Sequence, residues 1–447
     1  GLGEILGVDP SGILDDMKDT ASQYKVIKKK VEQETADKVR VFISDNDIKG
    51  VFLEPTSKRY YPYSGLAAQA LGFVNSEGGA YGIEAKYNDL LEGTAGRVVT
   101  TKTGNGVEMF NTYSEYIDAQ DGYNVTLTID ATIQSYLEKA IEEGIKDYAV
   151  QNGAFGIAMN PQTGEILAIA SSPDFDPNNY SLITDEILNA SIDTNAETIY
   201  QQLKANNTEN LTDEELRSQA RGQAYNQAVM SQWRSKAVND TYEPGSTFKA
   251  IVLSMALEEG LVDESDTFTC TGGVKVEGYP NIIRCSKRTG HGTETLAQAV
   301  QNSCNPAFIA IGQRLGVERF YEYFQAFGYT EMTGVDLPDE AKGINWGEDM
   351  TNVDLAVASF GQRFTTTPIQ QITAFSAVIN GGRLMQPYIV KSVTDQNGNV
   401  IQNTEPSLVR QVISEQTSRR ATAILESVVS EPKGSGHNAY QAGYRIG

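Results

Sequence analysis

The sequence predicts an α+β protein in which helices pack on an antiparallel sheet. Two segments of β-type composition, Ala154 to Met159 and Glu165 to Ala170, are joined by Asn-Pro-Gln-Thr-Gly, a typical hairpin turn. Helical patterns flank this hairpin, and further β signals return only late in the chain. This segregation of strands and helices is typical of α+β folds.

The length, the apolar composition and the net charge of the chain limit the classes of protein to which it can belong. A chain of 447 residues has room for two or three domains. It contains no run of 18 apolar residues, and Gly1-Leu2-Gly3 does not begin a signal peptide. We therefore expect a soluble piece whose native membrane anchor is absent. The net charge of −22 argues against nucleic acid and anionic membranes as partners.

The first part of the chain, residues 1–122, is predicted to be an irregular, partly β domain. Gly104 and Gly106 indicate a hairpin there. Residues 123–447 are predicted to form a second domain. It opens with a helix from 131 to about 149, capped by Asp130, whose apolar positions form one stripe: Ile133, Tyr136, Leu137, Ala140, Ile141, Ile145 and Tyr148.

Residues 178–225 are rich in Asn, Asp, Glu and Gln, and are interpreted as an insertion over the core surface. A capping box from Thr212 to Glu215 predicts a polar helix within it. Capping residues and apolar spacing predict the remaining helices, which begin at Ser246 (ending near Gly260), Thr293, Pro306 and about residue 414.

Ser246 and Lys249 have the chemistry of an activated nucleophile. Pro244-Gly245 is a turn that leads into an apolar helix, so the two side chains lie three residues apart on one helical face. The positive end of the helix stabilises a developing alkoxide, and a lysine with a buried stem loses its proton more easily. The pattern therefore predicts Ser246 as nucleophile and Lys249 as base.

Ser-x-x-Lys alone is a weak signal, because it also occurs at Ser22 to Lys25 and at Ser430 to Lys433. A second motif, Ser303-Cys304-Asn305, follows between two predicted helices. Ser303 could relay a proton and Asn305 could hold a substrate amide. The alternative is that Asn305 only caps the helix that begins at Pro306. A similar Ser-x-Asn triplet occurs at Ser44 to Asn46.

Cys270, Cys285, His291 and Cys304 gather four potential metal ligands within 35 residues, and a tetrahedral zinc site needs about this set. Such a zinc would be structural and would brace the loop that carries Ser303 and Asn305. Two alternatives remain open: a disulfide between Cys270 and Cys285, and three reduced thiols that pack as small apolar groups.

With both motifs in order, the chain resembles the penicillin-recognising serine acyltransferases, and among them the class B penicillin-binding proteins. Enzymes of the sporulation and elongation type from Gram-positive bacteria are the most similar. The resemblance extends from about residue 59 to 447 and is carried by these stretches: Arg59 to Pro62, Gly82 to Glu84, Leu91 to Gly96, Asn160 to Ala170, Asp240 to Lys249, Gly292-Thr293, Asn302 to Pro306, Ser359 to Gln362 and Thr366 to Pro368.

The resemblance implies a transpeptidase domain preceded by a pedestal, or dimerisation, domain. It implies acyl transfer without a catalytic cofactor: Ser246 attacks a D-Ala carbonyl of a peptidoglycan stem peptide, Lys249 acts as base, Ser303 relays the proton and Asn305 orients the donor. The implied partners are stem peptides, β-lactam antibiotics and a membrane glycosyltransferase. The implied location is the outer face of the bacterial cell membrane.

The chain departs from the family pattern at the third motif. The family's Lys-Thr/Ser-Gly strand follows a stretch like Ala442 to Gly447, where this sequence stops. A Lys102-Thr103-Gly104 triplet lies far upstream and is interpreted as a coincidence. We therefore expect an incomplete C-terminus and incomplete competence. Two alternative functions remain: a serine β-lactamase or carboxypeptidase, and a non-catalytic scaffold of a wall-synthesis complex.

Overall fold

The computed structural model describes residues 1–18, 25–54, 56–99, 115–206 and 211–447. The predicted hairpin at Gly104 and Gly106, the Lys102 triplet and Ser22 lie outside these residues. The chain divides into two compact units, Gly1–Pro62 and Tyr63–Gly447. The domain boundary between residues 122 and 123 stays a prediction.

The first unit is helical. It contains α1 (Leu2–Leu6), α2 (Pro10–Lys18) and α3 (Gln33–Asp45). Helices α1 and α3 pack against each other, and Leu6 and Val39 are buried.

The second unit holds the strands and the remaining helices of the described chain. The strands are β1 (Phe73–Val74), β2 (Gly79–Ala80), β3 (Arg97–Val99), β4 (Glu115–Ile117), β5 (Asn124–Leu127), β6 (Ala154–Met159), β7 (Ile166–Ser172), β8 (Thr267–Cys270), β9 (Gly273–Lys275), β10 (Ile282–Arg284), β11 (Gly292–Thr295), β12 (Arg383–Met385), β13 (Val390–Thr394), β14 (Val400–Asn403) and β15 (Leu408–Gln411). All their pairings within sheets are antiparallel.

The helices of the second unit are α4 (Ala68–Leu71), α5 (Gly82–Lys86), α6 (Asn88–Leu91), α7 (Ala131–Tyr148), α8 (Glu186–Ala205), α9 (Asp213–Trp233), α10 (Lys236–Asn239), α11 (Lys249–Glu258), α12 (Leu296–Gln301), α13 (Asn305–Ala326), α14 (Asn352–Ala358), α15 (Pro368–Ile379) and α16 (Glu415–Ser430). None of the helices in the described part of the chain is long and apolar enough to cross a membrane.

The predicted α+β class is confirmed. Strands β14, β13 and β5 form one sheet in that order, and β6 and β7 form the predicted hairpin. The hairpin joins the sheet through a bridge between Glu165 and Tyr388, and Thr128 N donates to Ile389 O over 2.7 Å. The strands that the sequence separates by more than 200 residues therefore meet in one layer.

Helix α7 has the predicted bounds and the predicted cap, since the Asp130 carboxylate accepts from the N–H groups of Thr132 and Ile133. The apolar stripe of α7 is covered only in part, because Tyr136 is 71% exposed. The fully buried residue is Gln134. Its side-chain amide donates to Ile169 O (2.9 Å) and accepts from Ile169 N (2.8 Å), which pairs the helix with strand β7 as another strand would.

The predicted insertion is a helical hairpin, α8 and α9. Thr212 and Glu215 form the predicted capping box of α9. Helix α8 was not predicted, because its polar composition hides a narrow apolar seam. Ile192 and Tyr200 of this seam pack against Leu216 and Ala224 of α9.

One predicted helix start is wrong. Thr293 lies in β11, which pairs with β8, and α12 begins only at Leu296 with Thr295 as its cap. The capping box between Thr295 and Gln298 defines the start, so the predicted start is three residues too early.

Candidate active site

The nucleophile turn is held by a second loop. Ser246 lies in a short 3-10 segment, Gly245–Phe248, directly before α11. Gly245 N donates to Gly361 O over 2.8 Å, and Tyr242 exchanges two backbone hydrogen bonds with Thr366. The turn therefore sits on a fixed backbone frame on both sides.

Helix α11 is buried on all sides, from Lys249 to Leu257. It packs against α13, α15 and α16, and Phe248 lies in an aromatic cluster with Phe320, Phe324, Tyr329 and Phe364. A helix that is apolar all round must lie in the core. The position of Lys249 is thus fixed by the core of the second unit.

Lys249 joins the two motifs. Its Nζ lies 3.2 Å from Ser246 Oγ, 2.9 Å from Ser303 Oγ and 2.7 Å from Asn305 Oδ1. It also donates to Ser303 O over 2.8 Å. The residue is 4% exposed, and burial lowers the pKa of Lys249 to about 8 because a charged amine is poorly solvated there. All four predicted catalytic side chains therefore meet around one amine that can be neutral near physiological pH.

The second motif sits at the start of α13. The helix-capping position is Cys304, so the alternative in which Asn305 serves as cap is wrong. Asn305 Nδ2 instead donates to Arg284 O over 3.1 Å. Ser303 adopts a positive φ of 49°, a conformation that costs a non-glycine residue energy and that is frequent at functional sites.

The other Ser-x-x-Lys and Ser-x-Asn matches that fall within the described residues are not assembled in this way. Ser430 is the last residue of α16, and Lys433 is exposed. Ser44 lies in α3 of the first unit.

The predicted metal ligands converge. The ligand atoms of Cys270, Cys285, His291 and Cys304 all lie within 4.8 Å of one another, and Cys285 Sγ is 3.7 Å from His291 Nδ1. A tetrahedral zinc with Zn–S bonds of about 2.3 Å requires sulfur atoms about 3.8 Å apart. The three cysteines are buried free thiols. The donor set and its dimensions fit zinc.

Two backbone N–H groups point at the Cys285 sulfur. Burial alone would raise the pKa of the Cys285 thiol, but the N–H groups of Asn305 and Lys287, with further hydrogen bonds, outweigh it and lower that pKa. Burial raises the pKa of Cys304 strongly. The Asn305 contact connects the cysteine cluster directly to the second motif.

Sequence reasoning missed Glu294. This carboxylate is 3% exposed, and its Oε2 accepts from Asn302 Nδ2 over 3.0 Å. Its Oε1 lies 3.8 Å from His291 Nδ1 and has no hydrogen-bond partner among the described residues. A buried, partly unpaired carboxylate beside four ligand atoms is typical of the surroundings of a cation. The His-x-x-Glu spacing was the available signal.

Comparison with known families agrees with this geometry. Residues 154–447 match the penicillin binding protein transpeptidase domain, and residues 1–127 match the penicillin-binding protein dimerisation domain.

Curated relatives extend the comparison. Stage V sporulation protein D of Bacillus subtilis is 34% identical over 452 residues, which cover 100% of this chain and 62% of the relative. Peptidoglycan D,D-transpeptidase MrdA of Escherichia coli is 25% identical over 444 residues, covering 91% of this chain and 63% of the relative. The chain thus spans less than two thirds of the length of these relatives.

Solved structures show the same fold. A peptidoglycan synthetase from Bifidobacterium adolescentis superposes with a TM-score of 0.70 at 27% identity, covering 99% of this chain and 71% of that structure. Penicillin binding protein 2X from Streptococcus thermophilus also gives 0.70, at 23% identity, covering 96% of this chain and 58% of that structure. Since the transpeptidase match alone spans more than half of the sequence, this chain belongs to the penicillin-binding protein transpeptidase family, as a class B member with a dimerisation domain.

Proposed function

We propose that this protein is a serine D,D-transpeptidase that cross-links peptidoglycan stem peptides. One observation carries the proposal: the Lys249 amine is buried and within hydrogen-bonding distance of both Ser246 Oγ and Ser303 Oγ. A neutral amine in this position can take the Ser246 proton and return a proton through Ser303. That is the requirement for an acyl-enzyme mechanism.

In the first half-reaction, neutral Lys249 accepts the Ser246 proton as Oγ attacks the penultimate D-Ala carbonyl of the donor peptide. The Ser246 backbone N–H, at the positive end of a buried helix, stabilises the resulting oxyanion. The C–N bond then breaks. The proton passes from Lys249 through Ser303 to the leaving D-Ala amine, and an ester on Ser246 remains.

In the second half-reaction, an amine of a neighbouring stem peptide attacks the ester carbonyl. Its proton returns by the same route, so that the new amide forms and Ser246 Oγ leaves protonated. Asn305 orients the donor, because one N–H of its amide is bonded to Arg284 O and the other is available to a peptide carbonyl. A β-lactam would acylate Ser246 in the same way.

The test is intact-mass measurement of the protein, expressed from its complete coding sequence, before and after incubation with benzylpenicillin. We expect one added drug mass, and none in the Ser246→Ala variant. A folded protein without an adduct would contradict the proposal and favour a non-catalytic scaffold. Rapid turnover of a chromogenic β-lactam would favour the hydrolytic alternatives instead.

We also propose that Cys270, Cys285, His291 and Cys304 hold one structural zinc ion. The ligand distances and the unpaired Glu294 oxygen support it. Zinc, when bound, supplies a rigid cross-link between the ends of β8 and β10 and the start of α13. It takes no part in the acyl transfer.

Metal analysis tests the zinc proposal directly, with an expected content of one zinc per chain. Cys285→Ser should lose the zinc and lower the melting temperature by several degrees, since the ligand set becomes incomplete. Thr271→Ser, an exposed change in the turn directly after Cys270, should change neither the zinc content nor the melting temperature. Wild-type protein without stoichiometric zinc would rule this proposal out.

A location at the outer face of the cell membrane, a membrane anchor and a glycosyltransferase partner are further parts of the proposal. They rest on the family membership, because the substrate of such a reaction is the cell wall. Fractionation of producing cells, with a wall-synthesis glycosyltransferase tested for co-purification, is the corresponding measurement.

A further inference from the structure

Strand β10 contacts Asn305 of the site and packs on the core. Its Ile283 is buried with Val276, Ile309 and Ala356, so the strand packs on both α13 and α14. The next residue, Arg284, is exposed because side chains alternate along a strand. Its carbonyl oxygen is the acceptor of the Asn305 amide. The backbone of Arg284 is therefore held in place beside Asn305, the residue proposed to orient the donor.

Arg284 also belongs to a cluster of positive charge that lacks counter-charges. Arg284, Lys287 and Arg288 place three cations in five residues, with no acid among them, in a chain of net charge −22. All three are exposed, and within the described ranges none of them takes part in an ion pair. Most arginines of this acidic protein do have carboxylate partners, as Arg363 has Asp354 at 3.0 Å. Uncompensated cations at a site indicate an anionic ligand.

A solvated basic loop is the simpler explanation of such a run, and two features favour a ligand. The first is the hydrogen bond from the Asn305 side chain to the Arg284 carbonyl, which places Arg284 beside the site. The second feature is that Lys275, a cation of the same hairpin, already has hydrogen-bond partners within the protein. Its Nζ donates to Tyr279 O (2.7 Å) and Pro280 O (2.9 Å). Arg284 has no such contact in the described structure.

We propose that Arg284 is a specificity-determining residue that binds a carboxylate of the donor peptide, carried by the residue before the reacting D-Ala. The proposal rests on the transpeptidase function argued above. Asn305 would hold the donor backbone, and the exposed guanidinium of Arg284, the residue whose carbonyl accepts from Asn305, would form a two-pronged hydrogen bond with the carboxylate. Lys287 and Arg288 extend the positive field and speed the approach of anionic donors.

The test compares two synthetic donor peptides that end in D-Ala-D-Ala. They differ only in the preceding residue, whose side chain is a free carboxylate in one and its carboxamide in the other. The Arg284→Gln variant of the full-length protein should lower kcat/KM for the carboxylate donor about tenfold. For the carboxamide donor it should change kcat/KM less than about twofold. For the carboxylate donor, the kcat/KM of Arg284→Lys should lie between those of Arg284→Gln and the wild type.

Lys275→Gln is the matched control, since it removes a cation of the same hairpin whose hydrogen bonds are made within the protein. Its kcat/KM for each donor should equal that of the wild type. Equal losses on both donors in Arg284→Gln would overturn the proposal, because Arg284 would then act only through the fold. No loss on either donor would overturn it too. Binding to phosphatidylglycerol vesicles that Arg284→Gln abolishes, with donor kinetics unchanged, would assign the cluster to a lipid instead.

Benzylpenicillin separates this inference from the underlying function. If Ser246 forms the adduct in every variant, the acylating site is intact and donor selectivity alone decides the role of Arg284. If the wild type forms no adduct, the transpeptidase proposal fails, and the inference fails with it.

Discussion

Lys249 shows how one buried residue can set the chemistry of a site. As an ammonium ion it has three N–H groups to distribute among four oxygen atoms, on Ser246, Ser303 and Asn305. As a neutral amine it gains a lone pair that can accept a hydroxyl proton. Because burial lowers the pKa of Lys249 to about 8, both forms are accessible in the physiological range.

This pKa predicts the pH dependence of acylation. Below the pKa of about 8, Lys249 is protonated and cannot act as base, so the second-order rate constant for benzylpenicillin should rise with pH and level off above about pH 9. At pH 6 it should be roughly a hundredfold below the plateau. Stopped-flow measurement of acylation across this range provides the check.

Two controls belong with the pH profile. Far-UV circular dichroism at each pH shows that the protein remains folded. Lys249→Arg, which stays protonated throughout, should give no measurable acylation at any pH. A flat profile for the wild type between pH 6 and 9 would contradict the role of Lys249 as base.

At the scale of elements, the nucleophile turn depends on a loop more than 100 residues away. A Cβ on Gly361 would lie 1.9 Å from Gly245 O, and Gly361 has a φ of 85°. Only glycine allows the two backbones to approach this closely. The loop after α14 therefore supports the residue directly before Ser246.

Gly361→Ala tests this support. We expect a loss of about 1–3 kcal/mol of stability beyond the backbone strain itself, and acylation slowed at least about tenfold, since the turn must move. Gly398→Ala is the matched control, because Gly398 has a similar φ of 82° but open space around its Cβ position. Equal effects of both changes, measured by thermal unfolding and acylation, would show that only backbone strain matters.

At the scale of the whole molecule, the site lies within one compact unit. All predicted catalytic and metal-binding residues fall between 246 and 305, inside Tyr63–Gly447. Cores that pack around α11 and around the sheet also belong to that unit. The chemistry of acylation should therefore not require residues 1–62.

Removal of residues 1–62 tests this independence. The shortened protein should be acylated by benzylpenicillin within about twofold of the full chain and should keep a cooperative thermal transition. Acylation kinetics and calorimetry on both forms supply the comparison. A tenfold slower acylation in a folded, shortened protein would show that the first unit contributes to the site.

The sequence alone determined the features that are local along the chain. The hairpin 154–170, the caps at Asp130 and Thr212 and the Ser246–Lys249 pair follow from turn chemistry and helical spacing, which act over a few residues. The cysteine and histidine cluster was also visible, because its members lie within 35 residues. The start of α12 was misplaced because a strand and a helix adjoin there.

Only the tertiary structure decided the contacts between distant residues. In the folded protein Gln134 is buried against strand β7, Gly361 lies against Gly245, and Glu294 and Arg284 are neighbours of the site. These contacts depend on how elements pack, and packing is a property of the whole core. A sequence specifies local hydrogen bonds at a fixed spacing, whereas the partner of a distant residue is set only when the chain folds.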